Sequence, residues 1–227
     1  MERKEAVRSA YRMTGGNSFY DGMITCSTLS GKAVCRLVWA MNKAENDDYL
    51  EKALSGIPEN FSGRLLEVPV GTGVLTMPVY QTMPKADITC LDYSPDMMKQ
   101  AKEKAERLRL KNVTFRQGDV GALPYEDGSF DIVLSLNGFH AFPDKEAAYR
   151  EIFRVLKPGG TFCGCFYIKG EHKRTDWFVR HIYEKAGFFT PPYETVSDLK
   201  ARLEGMYADV ETGNLKSMVW FVCRKAG

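Results

Sequence analysis

From Arg64 onward the chain alternates between short apolar runs and longer stretches whose apolar positions recur at helical spacing. The runs "RLLEV" (64–68), "DITCL" (87–91), "VTFRQ" (113–117), "DIVLSL" (131–136) and "TFCGCFYI" (161–168) read as strands. Helices are expected between most of them, at about 73–83, 95–109 and 144–156. Such β-α repetition predicts a parallel sheet covered on both faces, because each crossover helix must bury one stripe against it. Near the end, "YADVETGNLKSMVWFVCRK" holds two extended runs with a short turn between them. They are expected to form an antiparallel hairpin at the sheet edge.

Residues 1 to about 60 read differently, as helical and irregular. Val34, Leu37, Val38 and Met41 recur at helical spacing, and "ENDDYLEKAL" gives a polar start to another short helix. A loop, "TGGNSFYDG", precedes both. A second departure lies between Ile168 and Tyr207, a helical insertion that holds Trp177, Phe178, Tyr183, Phe188, Phe189 and Tyr193. Most of these aromatics are expected to pack on the sheet or the N-terminal helices, and some to line a cavity above the strand ends. The organisation expected is an N-terminal helical extension or lid (1–60) and one α/β domain (61–227) with an insertion at about 169–206.

Composition narrows the function. A chain of 227 residues with 44% apolar and 26% charged content is an ordinary globular protein. Its formal net charge of +2 lacks the basic excess of a nucleic-acid binder. The charge run "KQAKEKAERLRLK" (Lys99 to Lys111) mixes signs and reads as a solvated helix face. The six cysteines show no zinc spacing, so no metal is expected, and Cys163 and Cys165 read as core residues. The first residues lack the apolar segment of a signal peptide, and no apolar run reaches spanning length. Cytoplasmic location with reduced thiols is the expectation.

The stretch "LLEVPVGTGVL" (65–75) carries the chemistry. A strand ends in an acid, Glu67, and is followed by Gly71 and Gly73, where a ligand can approach bare main chain. The N–H groups of a following helix suit a carboxylate or phosphate. Asp92 closes the next strand, where an acid can accept from two ribose hydroxyls. Gly118, Asp119 and Val120 follow the third strand, and Leu136, Asn137, Gly138 and His140 follow the fourth. Four strand ends in chain order thus carry polar or small residues.

With these residues in view, the sequence resembles the class I S-adenosylmethionine-dependent methyltransferases, and most closely the branch containing ubiquinone and menaquinone biosynthesis methyltransferases. The resemblance covers residues 60 to 167. "LEVPVGTG" matches the first motif, "LDYSPDMM" the second, and "FRQGDVGALPYEDGSFDIVLSLNGFHAFPD" the adenine and post-strand motifs. "EIFRVLKPGGTF" matches the turn into the fifth strand, with Pro158, Gly159 and Gly160 architectural. The resemblance implies an α/β, Rossmann-like, seven-stranded mostly parallel sheet with an antiparallel C-terminal hairpin, and S-adenosyl-L-methionine as cofactor. It implies that Glu67, Pro69, Gly71 and Gly73 shape the methionine side of a pocket and that Asp92 holds the ribose. Tyr93 and Met97 would flank adenine or ribose, Gly118, Asp119 and Val120 would read the adenine, and Leu136 and Asn137 would lie beside the sulfonium.

One departure from that pattern is Pro69–Val70, where the family has Gly-Cys or a similar small pair. Proline lacks an N–H donor and fixes φ near −65°, so position 69 must not need positive φ. Pro78 would bend its helix unless it falls in the first turn. The implied reaction is methyl transfer to a small acceptor, and the aromatic content near the expected pocket suits one that is planar or lipophilic; His140, four residues past its strand end, either packs locally or faces the acceptor, and Phe19 and Tyr20 are expected to fold over the cofactor as a lid. Two alternatives remain: a non-catalytic S-adenosylmethionine-binding protein, and an NAD-dependent oxidoreductase. The second is disfavoured by Thr76, where Gly-x-Gly-x-x-Gly wants a small residue for close helix packing.

Overall fold

The computed structural model describes residues 19–227. The N-terminal residues 1–18 and the side chains of Phe19 and Tyr20, the expected lid residues, lie outside that description.

Seven strands form one sheet: β1 (Arg64–Glu67), β2 (Asp87–Asp92), β3 (Val113–Gln117), β4 (Phe130–Leu136), β5 (Leu156–Tyr167), β6 (Asp209–Leu215) and β7 (Met218–Arg224). Their order is β3-β2-β1-β4-β5-β7-β6. Strands β1 to β5 pair in parallel, and β7 is antiparallel to both its neighbours. The C-terminal hairpin is present, with β7 docked on β5 and β6 at the edge. Along β1 and β4, adjacent side chains enter opposite cores: Leu65 and Leu134 one, Leu66 and Val133 the other. That double burial is why these strands read as unbroken apolar runs.

The helices start where the sequence supplies caps. Among the described residues they are α1 (Phe19–Ile24), α2 (Leu29–Leu37), α3 (Lys43–Leu54), α4 (Met77–Tyr80), α5 (Pro95–Arg107), α6 (Lys145–Val155), α7 (Lys173–Phe178) and α8 (Val196–Met206). Thr28, Ser94 and Asp144 accept from backbone N–H groups at the starts of α2, α5 and α6. Reciprocal capping boxes open α3, between Asn42 and Glu45, and α8, between Thr195 and Asp198. No described helix is long and apolar enough to cross a membrane.

Three expectations need correction. The helix expected at 73–83 is a series of turns with one helical turn, α4, because Gly71 and Gly73 adopt φ of +55° and +67° and delay its start. Pro78 falls in that first turn and costs no helical bond. The turn at Pro158–Gly160 lies inside β5, as an excursion between Leu156, paired with Phe130, and Thr161, paired with Ile132. Finally, Cys26 and Cys35 form a disulfide, since the turn from α1 into α2 brings their Cα atoms to 6.3 Å. The other four cysteines are buried thiols, Cys163 and Cys165 among them as expected.

Phe139 anchors the second core. It is fully buried against Phe142, Tyr149, Phe162 and Phe166. Phe139→Ala is expected to cost about 3–5 kcal/mol through the lost transfer energy and the cavity left behind, measured by urea unfolding.

Candidate active site

All five parallel strands end at one rim, where the backbone turns from apolar runs to glycine and acid. A small cavity opens there, lined by Glu67, Pro69, Gly71, Thr72, Gly73 and Thr76, with Leu136 and Asn137 on the β4 side and Ile24 from α1. Gly71 takes positive φ and a Cβ there would meet nothing within 4 Å, so the loop is open toward its surroundings. Gly138 is small for a different reason: a Cβ there would lie 2.4 Å from Pro69 Cδ. Val68, joined to Pro69 by a cis peptide bond, donates its N–H to Leu134 O, and Val70 donates to Leu91 O. The backbone on both sides of Pro69 therefore keeps its bonds to the neighbouring strands.

Beneath the loop, Glu67 is 1% exposed. Its Oε2 accepts from Tyr80 Oη (2.8 Å), Thr76 Oγ1 (3.1 Å) and Cys90 Sγ (3.5 Å). Burial pushes the Glu67 carboxyl up to about 8, outweighing these three donors. The acid is protonated at neutral pH. Asp92, beside it at the end of β2, accepts from Gly71 N–H (2.7 Å) and Ser94 N–H (2.8 Å). Desolvation raises its pKa against those bonds.

The remaining sequence-predicted residues lie along the same rim but outside this cavity's lining. Asp92 pairs in register with Gln117, and Gly118 N–H donates to Asp92 O, so Asp119 stands close to the Asp92 strand end. Asp119 Oδ1 accepts from Gly121 N–H (2.8 Å), capping the short 3-10 turn at Val120–Ala122. Tyr93 is 76% exposed, and Met97 is half-buried in the first turn of α5. Asn137 adopts φ of +57°, uncommon for a residue with a side chain and frequent at functional turns.

His140 packs locally. Its ring stacks on Phe189 at 4.0 Å, and its Nδ1 accepts from Tyr167 N–H at 3.2 Å. Burial lowers its pKa to about 3, so the ring is neutral. Phe189 also meets Trp39, Tyr167, Tyr183 and Tyr193, making an aromatic wall past the ends of β4 and β5. Of the insertion aromatics, Trp177 and Phe188 stay exposed instead.

Two groups escaped the sequence reading. Lys104, inside the expected solvated charge run, is buried and pairs with Asp21 of α1 at 2.9 Å. The same Asp21 accepts the Thr72 hydroxyl at 2.6 Å. The only sequence signal was alanine on either side of Lys104's helical face, at Ala101 and Ala105, which marks that stripe as buried.

Comparison with known proteins identifies the family and the fold. The methyltransferase domain family matches residues 62–198. A demethylmenaquinone methyltransferase of Thermus thermophilus is 41% identical over 97 residues, covering 43% of this chain and 44% of that protein. A chloroplastic 2-methyl-6-phytyl-1,4-hydroquinone methyltransferase of Oryza sativa is 34% identical over 137 residues, covering 60% of this chain and 37% of that protein. The chain thus spans less than half the length of these relatives. In fold it is similar to a S-adenosylmethionine-dependent methyltransferase from Aquifex aeolicus, with TM-score 0.57 and 21% identity over 77% of this chain and 88% of that one. Another from Methanosarcina mazei gives TM-score 0.60 and 16% identity, over 76% and 96%.

The chain belongs to the methyltransferase domain family, within the class I S-adenosylmethionine-dependent methyltransferases. Its relatives there are the quinone-branch methyltransferases just named. The cofactor of the class, S-adenosyl-L-methionine, fits the residues present: an open glycine loop, a carboxyl at the end of β2 and a cavity between β1 and β4.

The buried Glu67 gives a pH signature. Its folded-state pKa is raised above the unfolded 4.5, so its stabilising contribution is full below that value and is lost as pH rises toward about 8. Glu67→Gln, which keeps the shape and cannot ionise, is expected to flatten this decline. In urea titrations the wild type should lose up to about 1.4 kcal/mol per pH unit relative to the variant across that window.

Proposed function

We propose that this chain transfers a methyl group from S-adenosyl-L-methionine to an oxygen or acidic carbon of a small, planar or lipophilic acceptor, by in-line displacement. The supporting observation is the juxtaposition at the rim: the cavity ends at Leu136 and Asn137, and the aromatic wall of His140, Tyr167 and Phe189 lies just past the same strand ends. The quinone-type names of the relatives point to acceptors of phenolic character.

In this reading Glu67, Pro69, Gly71 and Gly73 form the methionine side, and Asp92 accepts from the ribose hydroxyls. Gly118, Asp119 and Val120 meet the adenine, with Tyr93 and Met97 flanking, and Leu136 and Asn137 place backbone beside the sulfur. The cofactor supplies a methyl carbon already activated by a positive sulfur. The protein's task is alignment, and holding both partners in a near-attack pose is worth about 7–11 kcal/mol of the barrier. Bound cofactor would supply the methyl carbon to the acceptor, its sulfur–methyl bond breaking as the new bond forms and the acceptor's proton leaving to solvent. A neutral, stacked His140 is suited to shaping the acceptor's pocket, and its lowered pKa makes it a poor proton acceptor at neutral pH.

Incubation with S-adenosylmethionine and a panel of hydroquinones and naphthols, followed by mass spectrometry, tests this. S-adenosylhomocysteine and a methylated product are expected. Tight cofactor binding with no turnover across the panel would favour the non-catalytic reading. Asp92→Asn is expected to weaken cofactor binding about 10- to 100-fold by calorimetry, since a hydrogen bond to a charged acceptor is worth about 1.5–3 kcal/mol.

A further inference from the structure

The cofactor loop is gripped from three directions, and one grip comes from outside the β-α repeat. Gly71 N–H is held by Asp92 from the side, and Glu67 sits beneath. From above comes α1. Asp21 is 6% exposed and Lys104 7%, and their charged atoms lie 2.9 Å apart. The Thr72 hydroxyl donates to Asp21 Oδ1, while the Lys104 ammonium meets Oδ2. Thr72 stands between Gly71 and Gly73, the two left-handed positions that shape the loop. Three residues after Asp21, Ile24 reaches the cavity lining itself. Asn46 of α3 then holds Ile24 O through its side-chain amide, which fixes the far end of α1.

A buried ion pair is a poor device for stability alone, because desolvating two charges costs much of what their attraction returns. Here the pair joins three separate elements at the glycine loop of the cofactor site. We propose that Asp21 is a positioning residue: by accepting the Thr72 hydroxyl and pairing with Lys104, it seats α1 over the cavity and couples that covering to the conformation of the glycine loop. The inference rests on the reading of the cavity as the cofactor's methionine side. Coupling is reciprocal, so a cofactor that orders the loop must also tighten the seating of α1.

Thr72→Val removes the hydroxyl at nearly constant volume, and Thr72→Ser restores it. Asp21→Asn with Lys104→Met removes both charges together, so that neither is left buried alone. Thr72→Val and the double variant are each expected to raise the KM and Kd for S-adenosylmethionine about tenfold, the scale of one hydrogen bond to a charged acceptor. The loss should fall on cofactor affinity more than on turnover at saturating cofactor, and Thr72→Ser should recover most of it. Hydrogen exchange supplies the second readout: cofactor should slow exchange in residues 21–25 of the wild type and do so much less in Thr72→Val. Wild-type affinity and wild-type cofactor-induced protection in both altered proteins would overturn the inference alone. A wild type that binds no S-adenosylmethionine would overturn the reading of the cavity, and this inference with it.

Discussion

A carboxyl group that keeps its proton underlies the whole rim. Glu67 ends β1 almost wholly buried, and hydroxyls from Thr76 and Tyr80 and the thiol of Cys90 converge on one of its oxygens. Those donors come from the turn after the loop, from α4 and from β2. No cation among its described partners compensates a charge there, so neutrality is the cheaper state. The result is a fixed knot that ties β1 and β2 to the segment that follows β1. The short helix and the glycine turn above it inherit their positions from that knot.

Glu67 and Asp21 make an instructive contrast. Both are buried acids within reach of the same short loop. One is surrounded by neutral donors and keeps its proton; the other faces an ammonium and binds through charge. The difference follows from what each can pull in: β1 is flanked by strands, whereas α1 lies against a helix able to lend a lysine. Rigid support beneath and a polar, breakable contact above is a sensible division for a site that must admit and release a small molecule.

Much of the fold was legible because a doubly covered sheet leaves a coarse signal. Strand runs such as "DITCL" and "VTFRQ" are short and closed by acid or glycine, and the structure places these two within a residue, whereas β5 starts five residues before the run "TFCGCFYI". The segment 73–83 misled because Val74, Leu75, Met77, Val79 and Tyr80 are apolar on every side, which fits buried turns as well as helix. Strand-end acids were legible as a group, and their individual bonds were not. Asp119 spends one oxygen on a cap, and Tyr93 lies in the open. Long-range pairings were hidden most deeply. Nothing local to Lys104 announces Asp21, and nothing in a nine-residue spacing announces the bond between Cys26 and Cys35.

The strand order carries a consequence for the way the molecule is made. β6 touches no strand except β7, and β7 is later in the sequence. When β6 leaves the ribosome it has no strand to pair with, and β5 meanwhile presents a bare row of amides and carbonyls. Both wait for Met218–Arg224 to slide between them. Synthesis therefore holds the sheet open until nearly all of this sequence has been translated, and a nascent chain stalled before β7 would offer chaperones an unfinished edge to guard.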